Sequence, residues 1–233
     1  MTLRLPWACT DRLRTRLFLG ALFALAVTLA GAQPTNEPCV RQISPGRFQV
    51  GQVTLDKQSR SITFPAVINM TEAMIEYFVV TRDGKLHESL LRTDARPHDI
   101  HVAMLLLDAK GAGADAVPED PLKPIPGDPV IIEVSWKDKG QKRLRAEELV
   151  FNTQTKSNLA KGVWIYNGSR LENGAFLAER EGSIVSLITD PFALVNNPRS
   201  GRDNDDLCEV NTNAVPALDT PVEVKLILQS PKK

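Results

Sequence analysis

Helical periodicity is largely confined to one stretch of this 233-residue chain, and that limits the folds open to it. In "PHDIHVAMLLLDAKG", residues 97–111, Ile100, Ala103, Met104 and Leu107 recur at helical spacing. Pro97 suits a first turn, where no amide hydrogen is needed, and Gly111 is a natural stop. Val102, Leu105 and Leu106 are apolar as well, which predicts a helix buried on most sides. The rest is mostly short runs rich in Val, Ile, Phe and Thr: "RFQVGQVTLD", "SITFPAVINM", "SIVSLIT" and "TPVEVKLIL", the last with Val222, Val224 and Leu226 alternating.

Three hairpins are expected. In "AMIEYFVVTRDGKLHESLLRT" two strand-like runs flank Asp83-Gly84, which would set Val80 opposite His87 and Val79 opposite Glu88. "VIIEVSWKD" and "KRLRAEELVFN" flank Asp138–Gly140, and "GVWIYNG" and "GAFLAE" flank Ser169–Asn173. "DPFALVNN" predicts a short helix with Asp190 as cap and Pro191 in its first turn. Many short strands, one long buried helix and short additional helices predict an α+β fold, mainly antiparallel β.

The N-terminal residues carry a different signal. Arg4, Arg12, Arg14 and Arg16 precede the uncharged apolar run "LFLGALFALAVTLA", and Ala30-Gly31-Ala32 follows. This is the pattern of a secretory signal peptide, residues 1–32, cleaved before Gln33. The run is shorter than the ~20 residues of a membrane-spanning helix, so no stable span is expected after cleavage. Export to the periplasm or beyond follows. Residues 33–44 read as a polar lead-in and 45–233 as one domain. Four Arg and one Asp leave with the signal, so 28 basic and 28 acidic side chains become 24 and 27. That balance gives nucleic acid no reason to bind. Cys39 and Cys208 remain, and in an exported protein they are expected to form a disulfide. Two cysteines cannot hold an iron–sulfur cluster, which takes about four.

All three histidines lie in "HESLLRTDARPHDIH", residues 87–101, with Glu88, Ser89, Asp94 and Asp99. His98 and His101 would share a helix face, and His87 could add a third nitrogen to a zinc or copper site. Strand alternation opposes that use, because His87 and Glu88 would point to opposite faces. Ser89 beside His87, with Asp94 or Asp99 to orient the ring, is the outline of a nucleophile, but no strained elbow of the G-x-S-x-G kind is present. A structural reading serves as well. Asp94 or Asp99 would support the helix N-terminus, and Glu88 would pair with Arg92 or Arg96. A second patch, "NNPRSGRDNDDLCEVN", offers Asp203, Asn204, Asp205 and Asp206 to calcium, or to Arg199 and Arg202.

"VTRDGKLHESLLRTDARPHDIHVAMLLLDAKG" and "GSIVSLITDPFALVNNPRSGRDNDD" resemble the YdjY-type domain of exported bacterial proteins. Its members carry a "GK-x-HE-S-L" segment, a helix like "HVAMLLL-x-AKG", and "SLITDP-x-A-L" before an acidic loop; "GVWIYNGSR" is similar to the family's tryptophan strand. The resemblance covers about residues 45–230. Some members are described as ferredoxin-like, a label these cysteines do not support. The resemblance implies a shared surface at His87, Glu88, Ser89, Asp190 and Asp205, and names no reaction.

The expectation is therefore an exported, non-catalytic binding or envelope-associated module. His87, Glu88, Ser89, Asp94, Asp190 and Asp205 form its candidate surface, envelope proteins are its partners, and no cofactor is required. The alternative is a metal-dependent, hydrolase-like enzyme holding a divalent ion at His87, His98 and His101.

Overall fold

The computed structural model describes residues 39–113, 117–118 and 120–230. The expected signal peptide, and residues 33–38 of the lead-in, lie outside them. The strands, in order, are β1 (Val40–Ser44), β2 (Arg47–Val50), β3 (Val53–Asp56), β4 (Ser61–Ile68), β5 (Tyr77–Thr81), β6 (Ser89–Thr93), β7 (Asp128–Lys137), β8 (Gln141–Arg145), β9 (Val150–Asn152), β10 (Ser157–Asn158), β11 (Trp164–Tyr166), β12 (Leu171–Glu172), β13 (Ala175–Phe176), β14 (Ser183–Ser186), β15 (Val195–Asn196), β16 (Cys208–Val210) and β17 (Pro221–Leu228). Helix α1 (Pro97–Leu105) follows β6 and α2 (Leu177–Glu181) follows β13.

The expected α+β class is corrected by these elements. Strand accounts for 40% of the structure and helix for 11%, and eight strands close into a barrel. The ring runs β4-β17-β7-β11-β15-β14-β5-β6 and back to β4. Closure depends on a divided edge. The first half of β4, Ser61–Thr63, pairs with β3, while Val67 and Ile68 pair with Arg92 and Leu91 of β6. The meander β1-β2-β3 extends the sheet beyond the ring. The lead-in is thus partly strand, because Val40–Ser44 pairs with β2.

Alternation writes the long wall. Ile62, Phe64 and Ala66 of β4 are buried beside Leu226, Val224 and Val222 of β17, which lie beside Ile132, Val134 and Trp136 of β7. Thr63, Lys225 and Glu133 share the opposite, polar face. Strands β5 and β14 are buried almost throughout, and both faces of their centres, Phe78–Val80 and Ile184–Val185, are apolar, as in strands covered on both sides.

Three of the expected local structures differ. Around Asp83-Gly84 there is no hairpin, because β5 and β6 run parallel, with Tyr77 beside Ser89 and Val79 beside Leu91. The glycine serves close packing. A Cβ at Gly84 would sit 2.9 Å from the Val80 Cβ and 3.0 Å from the Gly182 carbonyl oxygen. "DPFALVNN" is a turn leading into β15, not a helix, and its Ala193, Leu194 and Val195 are buried. The third hairpin is smaller than expected and turns at Asn173-Gly174, between β12 and β13, while β11 pairs with β7 and β15. The hairpin of β7 and β8 around Asp138–Gly140 is as expected.

The helix is shorter and less enclosed than its sequence suggests. Ile100, Ala103 and Met104 are buried against β2, β3 and β4, but Leu105 is 47% exposed. It ends ahead of Gly111 because Asp108 already adopts a left-handed conformation, φ +63°. Its N-terminus is served by neither Asp94 nor a cap of its own. The Glu179 carboxylate of α2 accepts from the His98 amide at 3.0 Å and from Arg96 Nε at 2.9 Å. Asp99 is buried, and burial raises its carboxyl above the usual range. The expected disulfide is absent: Cys39 is an exposed free thiol and Cys208 a buried one.

Candidate functional site

The site forms where β5 begins. Glu76, the residue before β5, donates its amide to the Glu88 carbonyl at 2.9 Å and accepts from the Leu187 amide at 2.8 Å. Its backbone is thus held between the connection β5–β6 and the connection β14–β15. Both connections join neighbouring parallel strands and are short, residues 82–88 and 187–194. Parallel pairs usually need about a dozen residues or more. Such short returns keep the side chains of both connections near the ends of the strands they join.

Tyr77 ties them together. Its hydroxyl accepts from Lys85 Nζ at 3.0 Å and donates to Asp190 Oδ2 at 3.2 Å. The ammonium also lies 4.8 Å from the Tyr77 ring centroid. Asp190 Oδ1 accepts the Phe192 amide at 2.7 Å, and its own amide donates to Asn196 Oδ1, so the carboxylate is fixed from both sides. Burial, and then the Asp190 carboxylate, push the Tyr77 phenol up to about 12 despite Lys85. The phenol therefore keeps its proton. Burial opposes the Lys85 charge, but the bonds to Tyr77 and Glu88 outweigh it and hold its pKa above the usual lysine value.

Above this buried base stand exposed or half-buried charges. Glu88 Oε1 lies 3.4 Å from Lys85 Nζ, and His87 Nε2 lies 3.5 Å from Glu88 Oε2. The Glu76 carboxyl is raised first by burial and then by the negative charges of Glu88 and Asp205. So His87 and Glu88 stand over the buried Tyr77–Asp190 pair, and the Asp205 charge is felt at Glu76, which brings residues of the two distant segments into one neighbourhood. Tyr77, Lys85 and Glu76 complete it. They were missed because Tyr77 and Glu76 sit in what reads as plain core strand; the "GK" before "HES" was the available clue to Lys85.

The other candidates go elsewhere. Ser89 is wholly buried and its hydroxyl donates to the Lys85 carbonyl, so it cannot attack a substrate. Asp94 is exposed and paired with Arg82, whose hydrogen bond lowers its pKa. Glu88 pairs with Lys85 rather than Arg92 or Arg96, which bind Asp219 and Glu179. The three histidines do not converge. His87 stands 81% exposed beside Glu88, while His98 and His101 pack on Phe176 with ring centroids 5.9 and 5.0 Å away. Among the described residues no three His, Cys, Asp or Glu side chains are placed to share a metal ion. The arginines expected to neutralise residues 203–206 are also committed. Arg199 binds Glu147 at 2.9 Å, and Arg202 is buried on the carbonyls of Asp120 and Lys123.

A family model for the YdjY domain matches residues 53–227. The chain belongs to the YdjY domain family. The matched segment takes in every barrel strand, both short connections and all of the Tyr77 cluster. No curated protein and no solved structure matches the chain. Among the described residues of this YdjY domain no helix is long and apolar enough to cross a membrane.

Proposed function

We propose that this YdjY-domain protein is an exported, non-catalytic binding module of the cell envelope, and that Glu76, Lys85, His87, Glu88 and Asp205 are its recognition surface. The observation that carries the reading is the Lys85–Tyr77–Asp190 chain of hydrogen bonds. It anchors an exposed charged surface to a buried base while leaving no activated nucleophile there. Export is supported by the arginine-rich segment and apolar run at residues 4–30. Three carboxylates against one ammonium favour a partner surface rich in Lys or Arg.

Photocrosslinking in the producing bacterium tests this. A benzophenone amino acid replaces His87 in one strain and Glu223, on the polar barrel wall, in another. A discrete adduct specific to position 87, lost in a Glu88→Lys background, is the expected result. Equal adducts from both positions, or an adduct indifferent to Glu88→Lys, would overturn the reading.

A further inference from the structure

A second concave site lies away from the Tyr77 cluster, between α1 and the β12–β13 hairpin. Its volume is about 430 Å³, within the range of small-molecule sites. Leu105, Leu171 and Phe176 give it apolar walls, and Lys110 and Arg170 give it two cations. No carboxylate lines it. Neither cation forms an ion pair among the described residues, although the Arg170 guanidinium also lies 5.3 Å from the Phe192 ring centroid. Leu171 is 72% exposed, more than a side chain of that size needs for packing.

His101 supplies direction. Its Nδ1 lies 2.7 Å from the Tyr166 hydroxyl. Tyr166 is wholly buried, and burial raises its pKa, so the phenol keeps its proton; Nδ1 is the one acceptor its hydroxyl has among the described residues, so the hydroxyl donates there. The imidazole proton then stands on Nε2. That nitrogen has no protein partner among the described residues and is not among the sealed, unsatisfied polar atoms, so it opens on the cleft that the ring lines. Gly168 packs against this pair at φ +82°, a left-handed conformation that favours glycine.

We propose that this cleft binds a small organic anion, an apolar body carrying one carboxylate. The carboxylate sits between His101 Nε2–H and the cations Lys110 and Arg170, and the apolar body lies on Phe176, Leu105 and Leu171. An N–H donor with two cations and no competing acid selects an anion, and the walls select against a fully hydrated one such as phosphate.

Titration of the isotopically labelled protein with 4-phenylbutyrate, followed by amide NMR and calorimetry, tests it, with uncharged 4-phenylbutanamide as the control. Expected are saturable shifts at Gly168, Ser169 and Arg170. The amide should bind about tenfold more weakly, the loss of one charge-assisted contact. Arg170→Glu should weaken the acid by at least that factor and leave the amide unchanged, while Leu105→Asp should weaken both. Both side chains are exposed, so the variants remain folded. Equal binding of acid and amide, no saturable shift at millimolar ligand, or shifts at Lys85–Glu88 instead would each overturn the proposal. The first two of these leave the partner-binding reading of the Tyr77 cluster intact.

Discussion

The Tyr77 hydroxyl donates to Asp190 Oδ2 across 113 positions of sequence, joining the start of β5 to the connection between β14 and β15. Both partners are nearly out of water, at 2% and 7% exposure. Tyr77→Phe keeps the ring and removes the bridge, so the Asp190 oxygen loses its donor. The expected cost is about 1–3 kcal/mol, read as a lower urea midpoint at unchanged m-value. An unchanged midpoint would mean that the bridge does not hold the two connections.

Glu147 is fully buried beneath two guanidinium groups, with Arg145 Nη2 at 2.7 Å and Arg199 Nη2 at 2.9 Å. Burial works against its charge, but these bonds and the Gly162 amide hold its pKa below the usual range. Arg199 also lies 5.0 Å from the Trp164 ring centroid. Arg199→Met leaves a buried carboxylate with one guanidinium fewer and should cost about 3–5 kcal/mol. Glu147→Gln in the same background should recover part of that loss. If the double variant is no more stable than Arg199→Met, the carboxylate is not the source of the cost.

Acid should act first through His101. Burial, and then the charge of His98, lower its pKa to about 4 from 6.5. Between those values the unfolded chain binds a proton that the folded chain refuses. The contribution is therefore complete above pH 6.5 and is lost as pH falls through about 4. With allowance for the ring's remaining solvent contact, about 2 kcal/mol is at stake. Glu76 and Asp99, whose pKa values burial raises, slope the opposite way, so the readout is a difference. His101→Gln should lose less stability than the parent between pH 6.5 and 4.5; parallel curves would assign the acid sensitivity elsewhere.

The thiols should separate by reactivity. Cys39 is exposed, whereas Cys208 is buried and burial pushes its thiol up to about 11 against the pull of Arg199. In a chain beginning at Gln33, a thiol reagent at pH 8 should label Cys39 at once and Cys208 only after denaturant is added. No labelling of either cysteine, even in denaturant, until a reductant is added would restore the disulfide.

What could be read in advance was local. The alternation of Val222, Val224 and Leu226 marks β17, and Asp138–Gly140 marks a true hairpin. Asp83-Gly84 looks the same in one dimension. Whether a glycine supplies a turn or a close approach depends on what packs against it, here Val80 and the Gly182 carbonyl. Ring closure was hidden for a related reason: the divided edge of β4 is a choice between β3 and β6 that no periodicity within β4 records. The charged surface was half visible. His87, Glu88, Asp190 and Asp205 stood in two dense patches, but Tyr77, which joins them, is one aromatic in an apolar run.

The barrel is unevenly stitched. β17 is laced to β4 from Pro221 to Ile227 and to β7 from Glu223 to Leu228, whereas β15 holds β11 and β14 by Val195 and Asn196 alone. One arc of the wall is stiff, and the other is fastened at a few points. Asp190 and Gly168 both hang from the loosely fastened arc. A molecule bound at either proposed surface would pull on the arc with the fewest strand pairings, where the ring has least to hold its girth.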